Sequence, residues 1–206
     1  MSDLQSLFTQ TMDRLRTSVQ SSSQFPIVEV KSTVDGRVYK VRDMSDKQQA
    51  ADLLARVRLK IHSLFNHLKE KYPAKPQVKQ LVQNFQPDSS RFLESTPDAE
   101  HTSYSVNKGE AVHLCLRHRE GSNEALMDEN IMVFVALHEM AHVITSSVGH
   151  GPDFWNNFGW LLKKAESLGI YRYQDFKTKP VAYCGLQITD SPNYDPNKDG
   201  TDLSLG

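Results

Sequence analysis

The stretch that decides the fold lies at residues 131–146 and has the sequence IMVFVALHEMAHVITS. Its apolar residues fall on nearly every side of a helix, so the sequence predicts a buried helix at about 128–146. Inside that helix stand His138, Glu139 and His142, whose burial is costly unless they are paired or bound to a metal. The pattern therefore predicts a site with chemistry as well as a packing element.

The three polar residues form the pattern H-E-x-x-H. Residues four apart share a helix face, so His138 and His142 can offer two imidazole nitrogens to one Zn²⁺. Glu139 lies about 60° around the helix from His142 and can reach a water on the same ion. Two nitrogen ligands, a base and an open coordination position are what hydrolysis by zinc requires. The alternative is a pair of histidines that only form hydrogen bonds inside a buried helix.

His150 is the predicted third ligand. Zinc in a hydrolase usually has three protein ligands and a water, and the serines and glycine at 146–149 are typical of a helix end. Pro152 can open the next helix, which leaves His150 in a short turn that can fold back to the metal. Asp153 is the rival ligand, although a charge at the start of that helix, or a hydrogen bond to a liganding histidine, is its simpler role.

The stretch from Thr102 to about Pro192 resembles the WLM and SprT-like group of minimal zinc metalloproteases. The motifs that carry the resemblance are LCLR at 114–117, VALHEMAHV at 135–143 and HGPDFW at 150–155. In these families a strand precedes the active-site helix, and a histidine before a helix containing Phe and Trp completes the site. The resemblance implies an α+β fold, in which helices pack on a small, mostly antiparallel sheet to form a minimal zincin-like core.

The resemblance also implies an activity, that of a zinc-dependent peptidase. His138, His142 and His150 are then the ligands of one Zn²⁺, and Glu139 is the general base that activates a water. A protein or peptide is the expected substrate. Two alternatives stay open: a protease that acts on DNA-bound or crosslinked proteins, and a non-catalytic binding module stabilised by zinc.

Two further roles are predicted around this centre. In this class of protease the strand before the active-site helix, here 111–116, is an edge that pairs with extended substrate, so Val112 and Leu114 are candidate substrate-binding residues. A donor that stabilises the tetrahedral oxyanion is also expected. The available donors are Arg172, Tyr173 and Tyr183. Tyr183 is preferred as a catalytic residue, with packing as its alternative role.

The rest of the chain predicts one domain with additions at both ends. Helices are predicted at 3–21, between Ser45 and Pro73, at 77–85 and at 154–168, strands at 27–31, 37–42 and 103–106, and a polar loop at 87–100. We expect a single metalloprotease domain over 1–192, with 1–45 as an N-terminal extension and the protease core at about 102–192. Residues 193–206 are predicted to be a flexible tail, although DPNKDG at 195–200 resembles the start of an EF-hand loop.

Charge and composition limit the partners. The 206 residues carry a net charge of −1, which argues against a strong nucleic-acid footprint, so DNA is a possible partner without support from charge. The longest apolar run, at 131–137, is too short to span a bilayer, and no membrane association is expected. The oligomeric state is left open.

The N-terminus and the cysteines predict the compartment. The first residues include an acid and no apolar run, so no signal peptide is expected. Cys115 and Cys184 form no C-x-x-C pair, and free thiols in a reducing compartment are the expectation, with a disulfide as the alternative. An intracellular protein, cytoplasmic or nuclear, is predicted.

Overall fold

A computed structural model describes residues 24–106, 109–119 and 124–192. Within these ranges the chain forms four helices and two sheets. The helices are α1 (Lys47–Lys71), α2 (Pro76–Asn84), α3 (Glu129–Ile144) and α4 (Pro152–Ser167). The strands are β1 (Ile27–Lys31), β2 (Val38–Arg42), β3 (Phe92–Glu94), β4 (Tyr104–Val106), β5 (Ala111–Leu114), β6 (Val181–Tyr183) and β7 (Leu186–Ile188). The predicted α+β class is confirmed.

Two predictions concern residues beyond these ranges. The helix predicted at 3–21 and the tail at 193–206, with its EF-hand-like stretch, lie outside the described residues. Across the part of the chain that is described, each helix is too short or too polar to cross a membrane.

The five-stranded sheet is mixed, with the order β1-β2-β3-β5-β4. β3 pairs in parallel with β2 and β5, whereas β1 with β2 and β4 with β5 pair antiparallel. β6 and β7 form a separate antiparallel hairpin. β1 and β4 are therefore the two edge strands of this sheet, whereas β5 lies inside it.

The prediction that the strand at 111–116 is a substrate-binding edge is therefore wrong. β5 is bonded to β3 on one side and to β4 on the other, so its backbone donors and acceptors already have partners. Val112 and Leu114 are 2% and 0% exposed and belong to the hydrophobic core. Successive side chains of a strand point to opposite faces of the sheet, and Val112 and Leu114 are on the face that packs in the core. Neither side chain can therefore contact a substrate.

The region predicted as a polar loop at 87–100 contains strand β3, which the sequence pattern did not predict. The strand has only three residues, too few for an alternating pattern to stand out, and one of its inward residues is charged. Glu94 is buried, accepts the Arg42 backbone N–H at 2.8 Å and pairs with Nε of Arg117 at 2.8 Å. Burial raises the pKa of Glu94, although the neighbouring Arg117 lowers it.

Helix α3 lies at the centre of the fold. It packs against the other three helices and against β4 and β5, which explains why its sequence is apolar on all sides. It begins directly after Asp128, whose side chain accepts the backbone N–H groups of Asn130 and Ile131, as expected for an N-cap. It ends at Ile144, because Thr145 adopts an extended backbone and donates its hydroxyl to the Ala141 carbonyl at 2.6 Å.

Cys115 and Cys184 form a disulfide, so the expectation of free thiols is wrong. Their Cα atoms lie 6.3 Å apart although 69 positions separate them in the sequence. The spacing carries no signal of this pairing, because it arises only when the β6–β7 hairpin folds back beside the end of β5. Because the two cysteines are bonded to each other, they no longer support a reducing compartment.

Candidate metal centre

Helix α3 and the loop after it bring three histidines together. Nε2 of His138 lies 3.2 Å from Nε2 of His142 and 3.2 Å from Nε2 of His150, and one ligand atom from each lies within 4.8 Å of the others. His138 and His142 meet because they are one helical turn apart. His150 reaches them because Gly149, at φ +84°, reverses the chain in a conformation that glycine adopts without strain.

The three histidines fit a zinc ion. Imidazole nitrogens bind Zn²⁺ at about 2.0–2.1 Å, which places two nitrogens of a tetrahedral site about 3.3 Å apart, close to the two separations of 3.2 Å. Burial lowers the pKa of His138 to about 3, and the charges of His142 and His150 act in the same direction. Its imidazole is therefore neutral at pH 7, the form that binds a metal. A set of nitrogen donors without thiolate suits Zn²⁺.

Asp153, the rival ligand, lies apart from this cluster. It is exposed in the first turn of α4, directly after Pro152. The group of possible metal ligands found in the described residues contains the three histidines and not Asp153. Its place at a helix N-terminus suits the simpler role of a favourable helix charge.

The ring of Phe154 supports all three imidazoles. Phe154 is fully buried at the start of α4, and its ring centroid lies 4.9 Å from that of His138, 4.4 Å from that of His142 and 4.6 Å from that of His150. Such contacts limit the side-chain rotamers that the histidines can adopt. The sequence indicated only a core aromatic here; the spacing of four residues after His150 was the available signal.

A second contact holds the loop between His142 and His150 in place. Asn157 of α4 donates its side-chain N–H to the Thr145 hydroxyl at 2.9 Å, and Thr145 in turn donates to the carbonyl of Ala141. All of these groups are buried. The end of α3 is therefore tied to α4, and the loop has fixed endpoints.

Glu139 lies beside the histidines and is buried, with 4% of its surface exposed. Burial raises its pKa to about 7, whereas hydrogen bonds from the backbone N–H and the hydroxyl of Ser105 lower it. Ser105 belongs to the edge strand β4. The sequence gave no reason to single out Ser105, because its contact with Glu139 depends on how the sheet meets α3.

Tyr183 lies close to the same centre. It is buried, and its hydroxyl is 2.5 Å from Oγ of Ser103, which also accepts the Cys115 backbone N–H at 3.0 Å. Burial raises the pKa of Tyr183, so its hydroxyl keeps the proton that an oxyanion donor needs. Tyr183 lines a cavity together with His138 and Glu139. Its catalytic role stays a prediction.

The other two candidate donors stand elsewhere. Arg172 and Tyr173 are exposed, and neither lines the cavity beside His138. The backbone of Arg172 is bonded to the Asn130 side chain through both its N–H and its carbonyl, which fixes this segment against the start of α3. Of the three candidate donors, Tyr183 is the one that lines the same cavity as His138.

Comparisons with known proteins extend over most of the chain. The sequence model of the WLM domain matches residues 33–203. An uncharacterized protein of Acanthamoeba polyphaga mimivirus is 32% identical over 163 residues, which cover 78% of this chain and 82% of that protein.

Two shorter matches come from other viruses. An uncharacterized protein of Invertebrate iridescent virus 6 is 37% identical over 84 residues, 40% of this chain and 44% of that protein. Another, of Invertebrate iridescent virus 3, is 36% identical over 86 residues, 41% of this chain and 50% of that protein. No solved structure matches the chain significantly.

Proposed function

The chain belongs to the WLM domain family, a SprT-like domain of the zinc metalloprotease type, and we propose that it is a zinc-dependent peptidase. One observation carries the proposal: the Nε2 atoms of three histidines converge beside a buried glutamate. Such a site combines ligands for a metal with a base at the same place, which is the minimum that hydrolysis by a metal-activated water requires.

His138, His142 and His150 would hold the ion through Nε2. A zinc ion bound there would lower the pKa of a water to about 7 and polarise the carbonyl of the peptide bond. Asp153 is left outside this ligand set. Phe154 keeps the three imidazoles in one arrangement, so the site is formed before the substrate arrives.

Glu139 acts as the general base. Its carboxylate takes a proton from the attacking water and passes it to the nitrogen of the leaving amine. The backbone N–H and hydroxyl of Ser105 hold that carboxylate in place. Tyr183 can donate its hydroxyl to the oxyanion that forms from the carbonyl, because the phenol is neutral and lies in the same cavity.

The proposal of a non-catalytic zinc module has less support. Structural zinc sites usually have four protein ligands, and the cluster in the described residues has three. A buried glutamate next to the ligands also costs free energy without adding to a structural site. Both features favour a site with a position left for water.

Metal content and proteolysis, measured together, test the proposal. The wild-type protein should hold one zinc per chain and cleave unfolded casein. Glu139→Gln should keep the zinc and lose about 10²–10⁴-fold in rate. Glu70→Gln, the same change at a position on α1 that is exposed, should leave both unchanged.

A Glu139→Gln protein that keeps zinc and cleaves casein at the wild-type rate would overturn the assignment. Tight zinc binding with no cleavage of any unfolded protein would favour the binding module. Repeating the assay with DNA at low salt tests the DNA-associated alternative, for which the net charge of −1 offers no support.

A further inference from the structure

A cavity of about 310 Å³ lies between α3 and the β6–β7 hairpin, directly beside His138 and Glu139. We propose that it binds an apolar side chain of the substrate, that of the residue immediately after the cleaved bond, and so sets the cleavage preference. This inference rests on the proposed peptidase function. The volume is at the low end for ligand pockets, which suits one side chain rather than a longer segment.

The walls of the cavity are mostly apolar. Phe134 and Val135 of α3 and Phe158 of α4 form one side, and Leu186 and Ile188 of the hairpin form the other. Leu186 is 57% exposed, so the cavity presents apolar surface to solvent at a place next to the reacting groups. Covering that surface with an apolar side chain removes it from water, which is favourable in proportion to the area buried.

The charges at the cavity exclude acidic side chains. Glu139 and Asp190 both line it, and none of the described residues that line it is a lysine or an arginine. A substrate carboxylate in this place would lose water and be repelled by Asp190, and the described lining residues offer it no lysine or arginine as a partner. The cavity should therefore reject aspartate and glutamate more strongly than it rejects a small side chain.

The position of Glu139 decides which substrate residue enters. Its carboxylate delivers the proton to the leaving amine, and that amine belongs to the residue after the cleaved bond. Of the three histidines, His138 lines the cavity, whereas His142 and His150 do not. Since Glu139, which protonates the leaving amine, itself lines the cavity, the side chain next to that nitrogen is the one that reaches it.

The hairpin wall is held to the rest of the fold. Cys184, between β6 and β7, is joined to Cys115 by the disulfide, and the neighbouring Tyr183 is bonded to Ser103. Two links to residues near the sheet keep Leu186 and Ile188 opposite α3. A wall fixed in advance loses little conformational freedom on binding and discriminates more sharply between side chains.

The test uses the zinc-loaded full-length protein and peptides that differ at one position. The residue after the cleaved bond is Leu, Phe, Gly or Asp, and mass spectrometry locates the bond that is cut. We expect kcat/KM for Leu and Phe to exceed that for Gly by at least about tenfold, with Asp lower still. The Glu139→Gln protein should bind fluorescently labelled versions of these peptides in the same order of affinity, a measurement that needs no turnover.

Two hairpin variants and one control make the assignment specific. Leu186→Asp should lower the Leu-to-Gly ratio about tenfold, because it places a third carboxylate at the cavity. Ile188→Ala should raise the ratio of Phe to Leu, because it enlarges the cavity. Leu59→Asp makes the same change at an exposed position of α1 that does not line the cavity, and the ratios should stay as in the wild type.

The outcomes separate this inference from the proposed function. Equal cleavage of all four peptides, or a Leu-to-Gly ratio that Leu186→Asp leaves unchanged, overturns the inference and leaves the peptidase intact. Absence of cleavage of every peptide by the zinc-loaded protein overturns the peptidase, and the inference falls with it.

Discussion

Phe154 packs its ring against the imidazole of His142, with the centroids 4.4 Å apart and the planes tilted by 33°. The same ring touches His138 and His150, so one residue from α4 contacts histidines from two separate segments. Phe154 thereby links the stability of the core to the geometry of the candidate metal centre. Replacing it should affect both properties, whereas replacing an ordinary core aromatic should affect stability alone.

Phe154→Leu should weaken zinc binding about tenfold and lower the free energy of unfolding by about 1–2 kcal/mol, because the imidazoles lose the surface that limits their rotamers. Competition with a chromophoric chelator measures the first quantity and urea denaturation of the metal-free protein the second. Phe176→Leu is the matched control, since Phe176 is also fully buried and its ring contacts Phe134. Equal losses of zinc affinity in the two variants would contradict this role for Phe154.

His150→Ala should reduce zinc affinity by more than about 100-fold, the upper limit for residues outside the ligand set. Asp153→Ala should leave the affinity within a few-fold, because Asp153 is exposed and outside the cluster, and should cost at most about 1 kcal/mol of helix stability. Isothermal titration of zinc into the metal-free proteins checks both values. The reverse order of the two losses would make Asp153 the third ligand.

Reduction of the disulfide should destabilise the protein. The 69 positions between Cys115 and Cys184 close a long loop, and the chain-entropy relation gives about 4 kcal/mol for a loop of that length. Urea denaturation with and without a reducing agent measures the difference, and the double variant Cys115→Ala, Cys184→Ala should be insensitive to the agent. Two free thiols in the unreduced protein, detected by mass spectrometry after alkylation, would show that the bond is not formed.

Acid should weaken the buried ion pair between Arg58 and Asp35. Nη2 of Arg58 lies 3.0 Å from the Asp35 carboxylate, and both side chains are almost fully buried. Burial raises the pKa of Asp35, but hydrogen bonds from Tyr39, the Arg37 backbone and Arg58 outweigh it, so the pKa is below its ordinary value. A depressed carboxyl pKa stabilises the fold above about pH 4, and this stabilisation is lost as pH falls through the folded value.

Asp35→Asn should therefore remove part of the acid sensitivity and, at pH 7, lower the free energy of unfolding by about 3–5 kcal/mol, because Arg58 is left buried without a counter-charge. Urea denaturation between pH 3 and pH 7 gives both quantities. Asp43→Asn, which breaks an exposed pair with Lys47, is the control and should change little. The prediction is wrong if the stability of Asp35→Asn depends on pH in the same way as that of the wild type.

Local patterns were enough for the four described α-helices and for two of the three histidines of the candidate metal centre. The stripe of apolar residues predicted α1, and the helix ends at Lys71, just before Tyr72 and Pro73, because proline cannot continue it. The all-round apolar sequence of α3 predicted a central helix, and the four-residue spacing put His138 and His142 on one face. These properties depend on neighbours within one or two helical turns, which the sequence displays directly.

Long-range contacts decided the rest. Strand β3 pairs with segments far from it in the sequence, and this pairing places β5 inside the sheet. The disulfide likewise joins Cys115 to Cys184 across 69 positions. Strand order, disulfide pairing and the contact of Ser105 with Glu139 each depend on which segments meet, and no local spacing encodes that choice. The sequence by itself determined which side chains could hold a metal; the tertiary structure decided that His150 joins them and that an apolar cavity lies beside Glu139, because both require separate segments to pack against α3.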